Sequence, residues 1–215
     1  MNFKGCIIGL TGRRSVGKSE IARYLQETYG FRRVHPFDGG KAACRAYFEH
    51  LGVTPGVAWR MTDGDLKDVP ADILPRRVND HGETSDTHYD PRYFMEVFGA
   101  FMGREMGNDW TIGREIERAR RLAPDNGIVI ESIVYEVDFL RSIGGSVVMV
   151  DRPNDPGVSG VKTDAALDNV TIDAVFRNTA ETVPGMLSEF DAFFADFVRD
   201  TPRMRSEGNS FEPSF

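Results

Sequence analysis

The sequence predicts an α/β protein, a mostly parallel five-stranded sheet flanked by helices with a helical insertion. Three observations carry that expectation. Apolar runs at residues 5–10, 127–131 and 146–151 are short and nearly uninterrupted, as strands covered on both faces are. Helical patterns separate them, the alternation that builds a parallel sheet. The first run leads into Gly12-Arg13-Arg14-Ser15-Val16-Gly17-Lys18-Ser19, which fits G-x-x-x-x-G-K-[ST] where a strand hands over to a helix.

Residues 4–10 form the first expected strand and 18–29 the first helix, with Ile21, Ala22, Leu25 and Tyr29 on one face and Gly30 as its stop. A second strand at 31–34 ends in His35-Pro36-Phe37-Asp38-Gly39-Gly40, a breaker-rich loop expected at the carboxyl edge of the sheet. Residues 41–51 read as a helix closed by Gly52. From 53 to 89 periodicity fades among Asp, Pro and Gly, which predicts long connections with short helical pieces. After Asp90-Pro91 the residues Phe94, Met95, Phe98, Phe101 and Met102 form a helical stripe expected to be core. The next helix, 111–122, carries Ile112 and Ile116 on one side, with Arg114, Glu115, Glu117, Arg118, Arg120 and Arg121 around the remainder. Strands at 127–131 and 146–151 bracket a short helix at 136–143 that Gly144-Gly145 ends. A last strand is expected at 169–175 and a closing helix at 184–198, with Leu187, Phe190, Phe194 and Phe197 on one side. The expected organisation is one domain over residues 1–200, with 53–122 as an insertion and 201–215 as a loosely held tail that Phe211 and Phe215 could anchor.

Composition narrows the partners. The chain has 215 residues and a formal charge of −7, from 26 Lys and Arg against 33 Asp and Glu. That balance argues against a general nucleic-acid binder, which carries a basic face, so any anionic ligand is to be met by local Lys and Arg clusters. The first apolar run is short and followed by two arginines, which fits neither a signal peptide nor a membrane span. Cys6 and Cys44 belong to no C-x-x-C pair and read as reduced, buried thiols of a cytoplasmic protein.

The chemistry of the Gly12–Ser19 run is explicit. Gly12 and Gly17 permit left-handed backbone, so the N–H groups of Gly12, Arg13, Arg14, Ser15, Val16 and Gly17 can converge on one anion. Lys18 reaches the β- and γ-phosphates of a triphosphate, Ser19 holds Mg²⁺, and the helix starting at Lys18 adds its positive end. The motif alone does not separate a kinase from a nucleotide switch. Arg92, Arg104 and the Arg114/Arg118/Arg121 face are the candidates for a second anion site, because guanidinium forks match phosphate geometry. Asp38 follows the second strand, where a carboxylate could orient Mg²⁺-bound water or the attacking phosphate, or cap a helix.

Further runs sit in a fixed order after the phosphate loop: Phe37-Asp38-x-x-Lys41, Asp65-x-Lys67-Asp68-x-Pro70, and Pro91-Arg92-x-x-Met95-x-x-Phe98-Gly99-x-x-x-Gly103-Arg104 with Asn108-Asp109-Trp110. Gly144-Gly145-x-x-x-x-Val150-x-Arg152-Pro153 and Asp173-x-x-Phe176-x-Asn178-Thr179 follow. In this order the chain resembles the phage-type deoxynucleoside monophosphate kinases, P-loop nucleoside-phosphate kinases akin to dephospho-coenzyme A kinase and adenylate kinase. The resemblance implies γ-phosphoryl transfer from ATP, with Mg²⁺, to a (deoxy)nucleoside 5′-monophosphate in the cytoplasm, that of the host if the chain is phage-encoded. It makes residues 53–122 an acceptor-binding and lid insertion. Independently, the aromatic-rich helices could support a homodimer. It also implies that Asp38 and Lys41 line the place where acceptor meets ATP, that Arg92 and Arg104 grip the acceptor, and that Trp110 packs the insertion or borders the base.

Two departures from that family stand out. Its members often carry Asp-Val-Arg-Phe after the third strand, whereas this chain has Glu131-Ser132-Ile133-Val134, so Glu131 replaces the metal-side carboxylate and no arginine follows it. Thr163-Asp164 stands where Ser-Glu is common. Two other readings therefore remain open: a dephospho-coenzyme A kinase, in which Asp38 is a general base for a hydroxyl acceptor, and a nucleotide-binding regulatory protein without turnover.

Overall fold

The computed structural model describes residues 3–79, 81–153, 167 and 170–204; the tail with Phe211 and Phe215, the Thr163-Asp164 pair and Asn169 lie outside the described residues. Contacts divide the chain into two compact units, Met1–Pro36 with Ile112–Phe215, and Phe37–Thr111.

The first unit holds strands β1 (Ile7–Thr11) and β2 (Arg32–Val34), and helix α1 (Lys18–Tyr29) between them. In chain order after the second unit come β5 (Ile128–Glu131), β6 (Ser146–Asp151) and β7 (Ala174–Arg177), with helices α6 (Val137–Ser142) and α7 (Val183–Asp200). The five strands form one sheet, β2-β5-β1-β6-β7, and every pairing is parallel. The chain leaves β1 toward one edge and β6 toward the other. The crevice at the carboxyl ends of β1 and β6 is thus the switch point where open α/β sheets bind ligands.

Alternation sorts the strand side chains onto two covered faces. Ile8, Leu10, Val129, Val148 and Val150 pack with Ile21, Leu25, Phe190 and Phe194 of α1 and α7, while Ile7, Ile128, Ile130 and Val147 pack with Val137 and Leu140 of α6 and with Ile112 and Ile116. Those last two lie on α5 (Asn108–Leu122). All five residues of β1 are buried, as the centre of a two-faced sheet requires. Expected and observed bounds agree for α1 and β6. The last strand falls later than the expected 169–175, because Val170 and Ile172 spend their apolar side chains on the core from a loop. The ladder begins only after Asp173, whose amide donates to the Val147 carbonyl and whose carboxylate accepts from the Val147 amide.

The second unit contains α2 (Asp38–His50), α3 (Pro55–Thr62), β3 (Arg76–Val78), β4 (Thr84–His88) and α4 (Pro91–Glu105). Its core is separate, built on Cys44, Phe48, Ala58, Met61, Leu74 and Met95. Helix α2 starts three residues before the expected Lys41, since Gly39-Gly40 does not break the chain: Gly40 gives the Phe37 ring a place against the helix. Asp38 is consequently its first helical residue and Phe37 the N-cap. The antiparallel β3–β4 hairpin was not expected, because its residues are mostly exposed and polar and show no apolar alternation. The aromatic stripe on α4 is core only toward its start: Met95 is buried with Phe94 and Phe98 packed beside it, while Phe101 is 46% exposed. Both cysteines are buried thiols outside any disulfide, as expected.

Candidate functional site

The Gly12–Ser19 loop leaves the central strand at the β1/β6 crevice and runs into α1. Gly12 has φ 128°, and a Cβ there would collide with the Val150 carbonyl oxygen on β6. Gly17 has φ 108°, and its Cβ would meet Met186 Sδ at 2.5 Å. Only glycine satisfies both the backbone and the space at these two positions. Ser15 also takes left-handed backbone, φ 61°, a conformation that costs a non-glycine residue about 1–3 kcal/mol and tends to be held at ligand sites. Gly17 caps α1 without a side-chain hydrogen bond, so the amides of the first turn keep their capacity for an anion.

The loop is anchored from below. Val16 is buried in the core between Arg13 and Ser15, both exposed, and Lys18. Its carbonyl accepts 2.9 Å from Asn178 Nδ2, and the Asn178 amide in turn donates 2.7 Å to the Asp151 carbonyl at the end of β6. Asn178 is 4% exposed and follows β7, so two strand ends and the loop are tied through one residue, by its backbone amide and its side chain. Lys18 Nζ donates to the Gly12 and Arg13 carbonyls at 2.7 and 2.5 Å, which arches its ammonium over the loop.

Glu131 ends β5, in register with Leu10 of β1. Its Oε1 accepts 3.0 Å from Arg33 on β2, the neighbouring strand. Ser132, directly after it, has φ 65°, the second strained non-glycine residue at the carboxyl edge of adjacent strands. Ser19 and Glu131 offer hard oxygen donors suited to Mg²⁺, which takes one or two protein ligands and otherwise phosphate and water. Among the described residues no group of three or more His, Cys, Asp or Glu forms a self-sufficient metal cage.

In the second unit Asp38 and Lys41 stand one turn apart on α2, Nζ to Oδ1 3.9 Å. Lys41 also pairs with Asp63 at 3.2 Å, and Arg45 pairs with the other oxygen of Asp63 at 2.5 Å. Burial would raise the Asp63 carboxyl; the Lys41 charge, hydrogen bonds from Thr62 and Lys41, and the Arg45 charge outweigh it and hold the group below the usual carboxylate value. Arg92, at the start of α4, grips Asp68 with Nε and, at 2.8 Å, with NH2. Lys67 feels the charges of both pairs: burial and then Arg92 and Lys41 push its ammonium below the ordinary lysine value, against the weaker pull of Asp63 and Asp68. The structure thus gathers Asp38, Lys41 and Arg92 with Arg45, Asp63, Lys67 and Asp68.

Arg104 is not part of that group. It closes α4, donates 2.7 Å to Glu105 and lies 5.9 Å over the Phe101 ring. Trp110 is 40% exposed in the first turn of α5. Along α5, Arg114 and Arg121 pair with Glu117 and Arg118 with Glu115, which is a self-paired helix surface and not a row of open forks. Asn178, Arg33, Arg45, Asp63 and Lys67 received no role from the sequence. Asn178 and Lys67 sat in quoted motifs, but the Asn178 partner is 162 positions away, beyond the reach of any local pattern.

No protein-family model and no curated protein matches the chain. Among solved structures it is similar to TT1252 from Thermus thermophilus, at 16% identity and TM-score 0.42 over 89% of this chain and 97% of that one. It is also similar to a dephospho-CoA kinase from Campylobacter jejuni, at 11% identity and TM-score 0.41 over 88% and 96%. A sugar kinase from Janibacter sp. HTCC2649 aligns at 12% identity and TM-score 0.38 over 94% and 99%. Likeness at these scores carries no argument about activity, which rests on the residues.

Proposed function

We propose that the protein is a P-loop phosphotransferase that moves the γ-phosphoryl group of ATP to a (deoxy)nucleoside 5′-monophosphate. The observation that carries this reading is the Gly12–Ser19 loop, with its left-handed turns, uncapped α1 and Lys18, at the β1/β6 switch point. The loop amides and Lys18 bind the triphosphate and withdraw charge from it as the leaving group develops. Ser19 and Glu131 would hold Mg²⁺, which would supply charge neutralisation at the phosphates. Asn178 keeps the loop shaped for that contact before the nucleotide arrives.

Arg92 and Lys41 receive the acceptor, and Asp38, beside Lys41, orients it. A monophosphate oxygen is already an anionic nucleophile, so in-line attack needs positioning and charge neutralisation more than a strong base. Arg104 and Trp110 belong to the same reading as outer acceptor contacts, Trp110 bordering the base. The runner-up, transfer to a hydroxyl as in dephospho-coenzyme A, would make Asp38 a base. Replacing Lys18 by Ala is expected to leave the unfolding free energy in urea within about 0.5 kcal/mol of the parent, since the side chain is partly exposed, and to lower transfer by 100-fold or more, roughly the loss of one preorganised cation. Wild-type transfer by a folded K18A protein would refute the assignment.

A further inference from the structure

In the basic cluster of the second unit the two carboxylates whose charge reaches Lys67, Asp63 and Asp68, are each already bonded to other cations. Asp63 is shared by Lys41 and Arg45, and Asp68 is held by both arms of Arg92. Lys67 is half-buried and, among the described residues, has no hydrogen bond or ion pair from its ammonium. Its backbone is nonetheless fixed. The Arg92 amide donates 2.9 Å to its carbonyl, which seats Lys67 at the first turn of α4, and the preceding Leu66 is pinned to the core with its amide on the Arg60 carbonyl.

A half-buried ammonium held near two further cations, with the local carboxylates committed elsewhere, is an arrangement that an anion completes. At Lys67 the positive charges of Arg92 and Lys41 outweigh the pull of Asp63 and Asp68, and an added anion would be shared by the three cations. We propose that Lys67 is an acceptor-binding residue that, with Lys41 and Arg92, receives the terminal phosphate monoester of the acceptor. The proposal deepens the phosphotransferase reading and rests on it for the identity of the acceptor, although not for the presence of the anion site. Lys67 binds the phosphate as a point charge with three donors, beside the planar fork of Arg92. Bound phosphate raises the ammonium toward its ordinary value and screens it from its neighbours.

Two experiments on the full chain test it. The first measures the rate at which each lysine reacts with limiting acetic anhydride, by mass spectrometry, alone and with millimolar inorganic phosphate, dAMP, dCMP, dGMP, dTMP or ATP. Lys67 should be among the fastest lysines, and at least one monophosphate should slow it several-fold while leaving the exposed Lys4 unchanged. The second compares Lys67→Met and Lys67→Arg in acceptor binding by calorimetry and in KM. K67M should weaken the acceptor about tenfold or more with ATP affinity unchanged, and K67R should recover part of that loss.

The outcomes separate the two ideas. A monophosphate that protects Lys67 without becoming phosphorylated removes the transferase reading and leaves the anion site. Phosphorylation of a monophosphate at unchanged KM in K67M, with no protection of Lys67, removes the site and leaves the reading. Protection by ATP and by no monophosphate also overturns the proposal. Should neither variant fold, the protection experiment on the unaltered chain decides alone.

Discussion

Asn178 shows how much can hang on one side chain. Its Nδ2 satisfies the buried Val16 carbonyl and its backbone amide the Asp151 carbonyl, so the phosphate loop takes its shape from a residue beyond the last strand. Truncation to Ala leaves the Val16 carbonyl buried without a donor, and an unmade hydrogen bond of that kind costs about 1–3 kcal/mol. Asn178→Ala should therefore lower stability by that amount in urea unfolding and also weaken ATP, because the loop amides lose their fixed directions. K18A separates the two effects: it should weaken ATP at nearly unchanged stability. If N178A bound ATP as tightly as the parent, the loop would need no such anchor. The glycines follow the same logic. Gly12 and Gly17 were legible in the sequence because spacing encodes them, while their partners Val150 and Met186 were not, being set by tertiary contact.

At the scale of elements, Asp63 joins two helices. It caps the C-terminus of α3 and is paired with Lys41 and Arg45, one turn apart on α2. Because its folded carboxyl lies below the ordinary value, it contributes stability above the unfolded pKa of about 4, and that contribution is lost as pH falls through the lower folded value. Asp63→Asn should cost about 1–2 kcal/mol at pH 7, given a partly buried pair, and the gap between the two proteins should narrow below about pH 4. Urea melts at pH 7 and pH 3 read this directly; a gap that stays constant would assign Asp63 a packing role only. Which elements were legible also has a physical pattern. Helix α1 and strand β6 carry their periods within themselves and end at glycine or at a charge. The β3–β4 hairpin has no apolar face to announce it, and Asn79 closes it by accepting from the His81 and Glu83 amides, a signal only geometry reveals. The sequence predicts too short an α2 because a glycine pair marks a breaker far more often than it marks a ring packed on a helix.

Across the whole molecule, the parallel five-stranded sheet and the phosphate loop between its first strand and helix were implied by strand and helix alternation together with one motif, whereas the strand order was not. Of the proposed acceptor site the sequence offered Asp38, Lys41 and Arg92, but not Arg45, Asp63 or Lys67, since those come from separate stretches of the chain whose pairings depend on the fold. No helix among the described residues is long and apolar enough to cross a membrane. A ligand that binds only the folded chain stabilises it by RT ln(1 + [L]/Kd), about 2.7 kcal/mol at a hundredfold excess over Kd. MgATP should accordingly raise the unfolding midpoint of the parent and not of K18A, and a shift of equal size in both would place nucleotide somewhere other than the loop. The most direct test is transfer itself: label from [γ-³²P]ATP with Mg²⁺ followed onto dAMP, dCMP, dGMP, dTMP, modified pyrimidine monophosphates and dephospho-coenzyme A. The expected result is a labelled nucleoside diphosphate from at least one monophosphate, lost in K18A. Firm ATP binding with no labelled monophosphate product, or label on dephospho-coenzyme A alone, would contradict it.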